Sequence, residues 1–289
     1  MSKPTSLNWK NSLVALTLAV LILFPSTSSV ARQSPAQPKA STRVLTAVAD
    51  PSASPSASVD PSATPTPTPT PTTEPTPTPS LPPFDPAMYS ITAPDSLWVV
   101  VDKQRPLDPV TYVPKNLVKP KFPDGAGQNP FGIKLAKPAA KAMIAMASAL
   151  NQAGKGVLVL SSTYRSYQTQ VAVHAKDVAQ LGLKAGENLA ARPGYSEHQT
   201  GLAADLSALG QGCVIRTCFA QTKAGKWLAA NAWQYGFILR YPKGRTATTG
   251  YQFEPWHFRY VGLELSSQMH AQSVAVLEDF FSLPAAPSY

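Results

Sequence analysis

The chain has 289 residues, of which 30 are proline and only 14% are charged, with a formal net charge of +9. The prolines are concentrated rather than spread, so length overstates the folded part and leaves room for one sizeable domain. Such a charge attracts polyanions, but no run of five or more Lys and Arg occurs. That argues against a nucleic-acid partner and leaves anionic cell-wall polymers or lipid head groups, or simple solubility, as the readings of the charge.

Lys3 and Lys10 flank the start of an apolar run, Leu13 to Phe24, and Ser29-Val30-Ala31 then supplies small residues. The pattern predicts an export signal over 1–31. The apolar run is well short of the ~20 residues that span a bilayer, so membrane contact is expected only through this segment before cleavage. From Arg32 to Pro83 the chain is dominated by Pro, Ser, Thr and Ala, with strict Thr-Pro alternation from Thr64 to Pro71. It has almost nothing to bury, so a disordered, extended linker is predicted over 32–83. At about 3.1 Å per residue, 51–83 alone would reach on the order of 100 Å.

A folded domain is expected over 84–275, with 276–289 as a C-terminal tail. Leu97 to Val101 is an apolar, β-branched run that predicts a strand, and Pro106, Pro109 and Pro114 break the chain after it. Leu135, Ala139, Ala142, Met143, Met146, Ala147 and Leu150 recur at helical spacing, which predicts a core-facing helix near 134–149. Val157 to Leu160 predicts a strand leading into Ser161 to Gln170 at a strand-to-helix junction. Arg165 lies just beyond that strand, where a half-buried guanidinium needs an anion. The anion is either one of this protein's own carboxylates or the carboxylate of a ligand, which the planar fork suits. The stretch 175–191 reads as helix and loop. His174 and His270 lack metal-ligand neighbours and read as ordinary helix or surface residues, and Asp177 and Glu187 as solvated charges or caps.

Two later stretches carry the chemistry: Ser196-Glu197-His198-Gln199-Thr200-Gly201-Leu202-Ala203-Ala204-Asp205 and Glu254-Pro255-Trp256-His257. His198, Asp205 and His257 are the N/O set of a hydrolytic zinc, which takes three protein ligands and keeps one position open. Glu254 is left over for proton transfer. Gly201 allows a bend between His198 and a short strand at Leu202 to Leu206. Glu254 and His257 are three apart around a proline, so this is not the helical arrangement of two histidines in HExxH. A structural zinc would more often use thiolates. The only cysteines, Cys213 and Cys218, are expected to pair with each other in an exported protein. Lys223 to Tyr235 predicts an amphipathic helix capped by Gly236. Phe237 to Tyr241 predicts a strand, and Tyr251 to Phe258 a last strand or extended segment.

Taken together, Ser162 to Tyr167 with Gln170, Ser196-Glu197-His198 with Gly201, Ala203 and Asp205, and Glu254 to Gly262 resemble the VanY-type D-alanyl-D-alanine carboxypeptidases. These are bacterial zinc peptidases of peptidoglycan that share a fold group with D-Ala-D-Ala dipeptidases and the Hedgehog signalling domain. The resemblance implies an α+β fold, a small mainly antiparallel sheet flanked by helices with a Zn2+ site on the sheet. It implies His198, Asp205 and His257 as ligands, Glu254 as general base and later acid, and Arg165 as the holder of a substrate carboxylate or polarised carbonyl. Gln170, Ser196 and Trp256 are expected at the substrate, Trp256 with packing against His257 as its other reading. The expected partners are peptidoglycan stem peptides, for a monomer secreted to the bacterial wall. D,D-carboxypeptidase action is the leading expectation, beside L,D-carboxypeptidase or endopeptidase action. A non-catalytic, zinc-stabilised wall-binding module is the alternative, against which Glu254 and Arg165 both argue.

Overall fold

The computed structural model describes residues 84–289; the predicted signal (1–31) and linker (32–83) lie outside them. The architecture is α+β. A five-stranded sheet has the order β2 (Gly127–Gln128), β4 (Leu158–Ser162), β5 (Ala203–Ala208), β7 (His257–Tyr260), β6 (Phe237–Leu239). Only the β2–β4 pair is parallel; the other three pairs are antiparallel. A separate two-stranded ribbon joins β1 (Leu117–Val118) to β3 (Leu135–Ala136).

The strands separate a core face from a site face because side chains alternate along each of them. Leu158 and Leu160 of β4, Ala204 and Leu206 of β5 and Phe258 of β7 pack with Met143, Met146 and Leu150 of α1 (Lys137–Gln152) and with Leu228 of α4 (Lys223–Asn231). Each such large side chain contributes roughly 1.5–3 kcal/mol when fully buried. The residues between them on β5 and β7, namely Asp205, His257 and Arg259, therefore share the opposite face. Register completes the placement: Asp205 is paired with Ser162 on one side and with His257 on the other. One row across three strands thus carries a hydroxyl, a carboxylate and an imidazole.

The remaining helices are α2 (Tyr167–Leu181), α3 (Leu183–Glu187), α5 (Thr246–Thr249), α6 (Leu263–Ala271) and α7 (Leu277–Phe280). The helix expected at 223–235 is α4 followed by a 3-10 turn over Ala232–Tyr235, and Gly236 ends it in the left-handed region (φ 79°). None of the described helices is long and apolar enough to cross a membrane. Cys213 and Cys218 are joined as a disulfide.

Two expectations are corrected. Trp98 to Val101 is buried but the predicted strand does not form, and Leu97 and Trp98 lie in a turn. Its alternation is real, with Trp98 and Val100 in one cluster and Val99 and Val101 in another. However, the carbonyls of Leu97 and Val99 accept from Nη2 of Arg259 (3.0 and 2.9 Å), so a side chain stands where a ladder partner would. The stretch 276–289 is not a loose tail: Val276, Leu277, Glu278 and Ala286 are fully buried, and Ala286 N–H donates to the Thr248 carbonyl.

Candidate functional site

The first ligand stretch is a 3-10 turn, Glu197–Thr200, closed by Gly201 in the left-handed region at φ 71°. A Cβ on Gly201 would lie 2.8 Å from the Leu117 side chain, so both space and dihedral demand glycine here. The second stretch is a β-turn: His257 N–H donates to the Glu254 carbonyl (3.1 Å), with Pro255 in the second position that proline favours. This turn explains the spacing, because it returns the chain so that Glu254 Oε2 lies 3.9 Å from His257 Nδ1.

His198 Nε2 is 3.3 Å from Asp205 Oδ2, and His257 Nδ1 is 3.2 Å from Asp205 Oδ1. One donor atom from each of these three buried residues lies within 4.8 Å of the others. The far nitrogens are engaged elsewhere: His198 Nδ1 with the Thr163 carbonyl (2.6 Å) and His257 Nε2 with Glu197 Oε2 (3.3 Å). Such outer partners fix the tautomer and ring angle of a ligating imidazole. Two imidazoles and one carboxylate arranged in this way fit zinc.

The metal-free electrostatics follow from burial and neighbours. Burial and the Arg165 charge lower His198 to about 4, against the pull of Asp205. Burial opposes the charge on His257, yet hydrogen bonds to Asp205 and Glu197 lift it to about 9. Burial raises Glu254 to about 8, with His257 pulling against it and Asp205 adding repulsion. Glu254 Oε1 is buried without a hydrogen-bond partner among the described residues.

These groups line a cavity of about 380 Å3 together with Arg165, Ser196 and Trp256, a volume in the range of small-molecule sites. Arg165 satisfies both readings of its charge. Nη1 donates to Ser162 Oγ (2.7 Å) and lies 3.5 Å from Asp205 Oδ2, while the side chain remains 20% exposed at the cavity. Gln170, expected at the substrate, is corrected. It is fully buried, accepts from Arg165 Nε (2.9 Å), donates to the Ala191 carbonyl (2.8 Å) and therefore holds Arg165 in place. Trp256 both lines the cavity and packs in the main core.

His174 and His270 stay outside: the first lies 3.6 Å from Glu187, the second stacks on Trp233. Glu187 pairs with Arg192 at 2.6 Å, and Asp177 lines the cavity rather than standing in solvent. Sequence reasoning missed three contributors: Glu197, Tyr241, whose ring lies 4.8 Å from that of His257, and Ile215 on the cavity wall. Glu197 stood inside a motif already singled out; no comparable local signal marked the other two.

The VanY family model, D-alanyl-D-alanine carboxypeptidase, matches residues 132–263. A putative carboxypeptidase of Bacillus subtilis (strain 168), YodJ, is 36% identical over 192 residues, covering 66% of this chain and 69% of its own length. The chain belongs to the VanY family of D-alanyl-D-alanine carboxypeptidases. Two solved relatives agree with the VanY assignment. The LdcB LD-carboxypeptidase is 36% identical with a TM-score of 0.59, over 65% of this chain and 87% of that one. A mutant of the vancomycin-resistance D,D-pentapeptidase VanY, solved with Zn(II), is 28% identical with a TM-score of 0.52, over 63% and 97%. This VanY-family chain is accordingly a carboxypeptidase, a hydrolase, and zinc is its cofactor.

Proposed function

We propose that this carboxypeptidase is a D,D-carboxypeptidase that removes the terminal D-Ala from peptidoglycan stem peptides, acting as a secreted protein in the bacterial wall. The observation that carries the reading is one cavity holding three metal donors, a buried carboxyl with an unpartnered oxygen, and a tethered guanidinium. His198, Asp205 and His257 would hold the zinc, and Zn2+ there supplies Lewis-acid polarisation of a carbonyl and makes water a competent nucleophile near neutral pH.

The chain's own residues do the rest. Arg165, fixed by Gln170 and Ser162, binds the substrate's terminal carboxylate or the carbonyl oxygen as negative charge grows on it. Glu254 takes a proton from the attacking water and gives it to the nitrogen of the departing D-Ala. In the metal-free protein burial raises Glu254 above the ordinary carboxyl value, and a divalent cation beside it would draw that value back down toward the range in which one group can both accept and release a proton. The Ser196 and Trp256 side chains shape the wall against which the peptide lies.

L,D-carboxypeptidase action is the second reading, favoured by the likeness to the LD-carboxypeptidase LdcB. Purified full-length protein is incubated with pentapeptide and tetrapeptide stems, and the products are weighed by mass spectrometry. Loss of one alanine from the pentapeptide alone is the expected result. Loss from the tetrapeptide alone would replace the D,D reading with the L,D one.

A further inference from the structure

We infer that Glu197 is a positioning residue for His257, holding its proton on Nε2 so that Nδ1 stays free for the metal. The inference rests on the reading of His198, Asp205 and His257 as the zinc set. Glu197 is fully buried and spends its two oxygens differently. Oε1 accepts from Arg240 Nε (2.8 Å) and Arg259 Nη1 (2.9 Å), and Oε2 faces His257 Nε2 at 3.3 Å. Arg240 is in turn gripped by both oxygens of Glu278 at 2.9 and 2.6 Å, so two carboxylates and two guanidinia balance without solvent. Arg259 is anchored by the carbonyls of Leu97 and Val99.

A carboxylate can only accept, so Oε2 selects the imidazole form with its hydrogen on Nε2. Asp205 Oδ1 faces the opposite nitrogen at 3.2 Å and, without metal, accepts from it in the same way; a cation shared by Asp205 and Nδ1 takes the place of that hydrogen, while the hydrogen on Nε2 stays with Glu197. The clamp is rigid because its anchors come from segments far apart: 97–99, β6 with the residue after it, β7 and α7. Leu97, Val99 and Glu278 all lie outside the residues that the family model matches.

Glu197→Gln tests this with almost no change of shape. The amide oxygen must stay with the two arginines, which places the NH2 group opposite His257 Nε2. A donor there favours the imidazole with its hydrogen on Nδ1, the form that cannot ligate. Zinc affinity, measured by chelator competition on the full-length protein, is expected to fall about 10- to 100-fold. Asp279→Asn removes an ion pair with Arg245 on the same helix α7 but outside the clamp, and its zinc affinity is expected to stay within about 3-fold of the parent. A Glu197→Gln protein that folds and binds zinc as the parent does overturns the inference. Failure of the parent itself to bind zinc overturns the metal site as well, which separates the two claims.

A second measurement does not depend on the variant folding. In the zinc-loaded parent labelled with 15N-histidine, His257 is expected to carry hydrogen on Nε2 and metal on Nδ1. The reverse assignment in the parent removes Glu197 from this role; where Glu197→Gln folds, the same spectrum adds a further check, because a merely structural Glu197 would leave the parental assignment unchanged.

Discussion

Glu254→Gln is expected to lower turnover about 10³-fold while zinc binding stays close to that of the parent. The magnitude is that of a lost general acid–base, and the metal donors are untouched by the change. The same substitution should raise the stability of the metal-free protein, in a way that depends on pH. The folded-state value of Glu254, about 8, lies above the ordinary 4.5. The folded protein therefore holds a proton that the unfolded chain releases, and this contribution is complete below about pH 4.5 and lost as pH rises through 8. Ionised Glu254 then costs on the order of a few kcal/mol, which glutamine avoids. Thermal melts in chelator should show Glu254→Gln gaining on the parent between pH 5 and pH 8.5. An offset independent of pH, or hydrolysis at the parental rate, would remove Glu254 from the role assigned to it.

Glu278→Ala carries the largest expected effect on folding. Arg240 is fully buried, and its bidentate contact with Glu278 neutralises a charge that Glu197 already shares with Arg259. Removing one partner of such a buried pair typically costs about 3–5 kcal/mol, because the other charge stays behind. Urea unfolding should show a loss of that order. A loss below about 1 kcal/mol would mean that α7 is an ornament on the domain rather than part of it.

The sequence made the chemistry legible because the reacting types sit in short motifs. His198, Asp205, Glu254 and His257 fall in two short stretches of ligand-type residues whose roles came from three motifs taken together. Pro255 excludes a continuous helix, but the expectation there is a strand or extended segment, where the structure has a turn. Helix α1 was legible for a similar reason, since Ala139, Met143, Met146 and Leu150 keep a 3.6-residue rhythm that only one buried face explains. Strand pairing was less so. Leu97 to Val101 has a strand's composition and a strand's alternation, but its Leu97 and Val99 carbonyls are taken by the guanidinium of Arg259, and composition carries no trace of that.

Glu197 shows the same limit at the site. Its meaning depends on Arg240, Arg259 and His257, at sequence separations of 43, 62 and 60. Gln170 was read as a substrate contact because it follows Arg165 at helical distance, and the structure turns that nearness into a tether. In sequence the last fourteen residues read as a tail. Val276, Leu277, Glu278 and Ala286 are nevertheless buried, Glu278 against Arg240 and the Ala286 N–H on the Thr248 carbonyl, contacts made with residues far upstream.

Metal removal and return tests the central claim most directly. Full-length protein is stripped with a chelator, assayed on the stem peptide it hydrolyses, and then titrated with zinc while bound metal is counted. The account predicts no measurable hydrolysis in the stripped protein and full recovery at one zinc per chain, with neither binding nor recovery in His198→Ala. Hydrolysis undiminished in protein shown to contain no metal, or full recovery in His198→Ala, would contradict it.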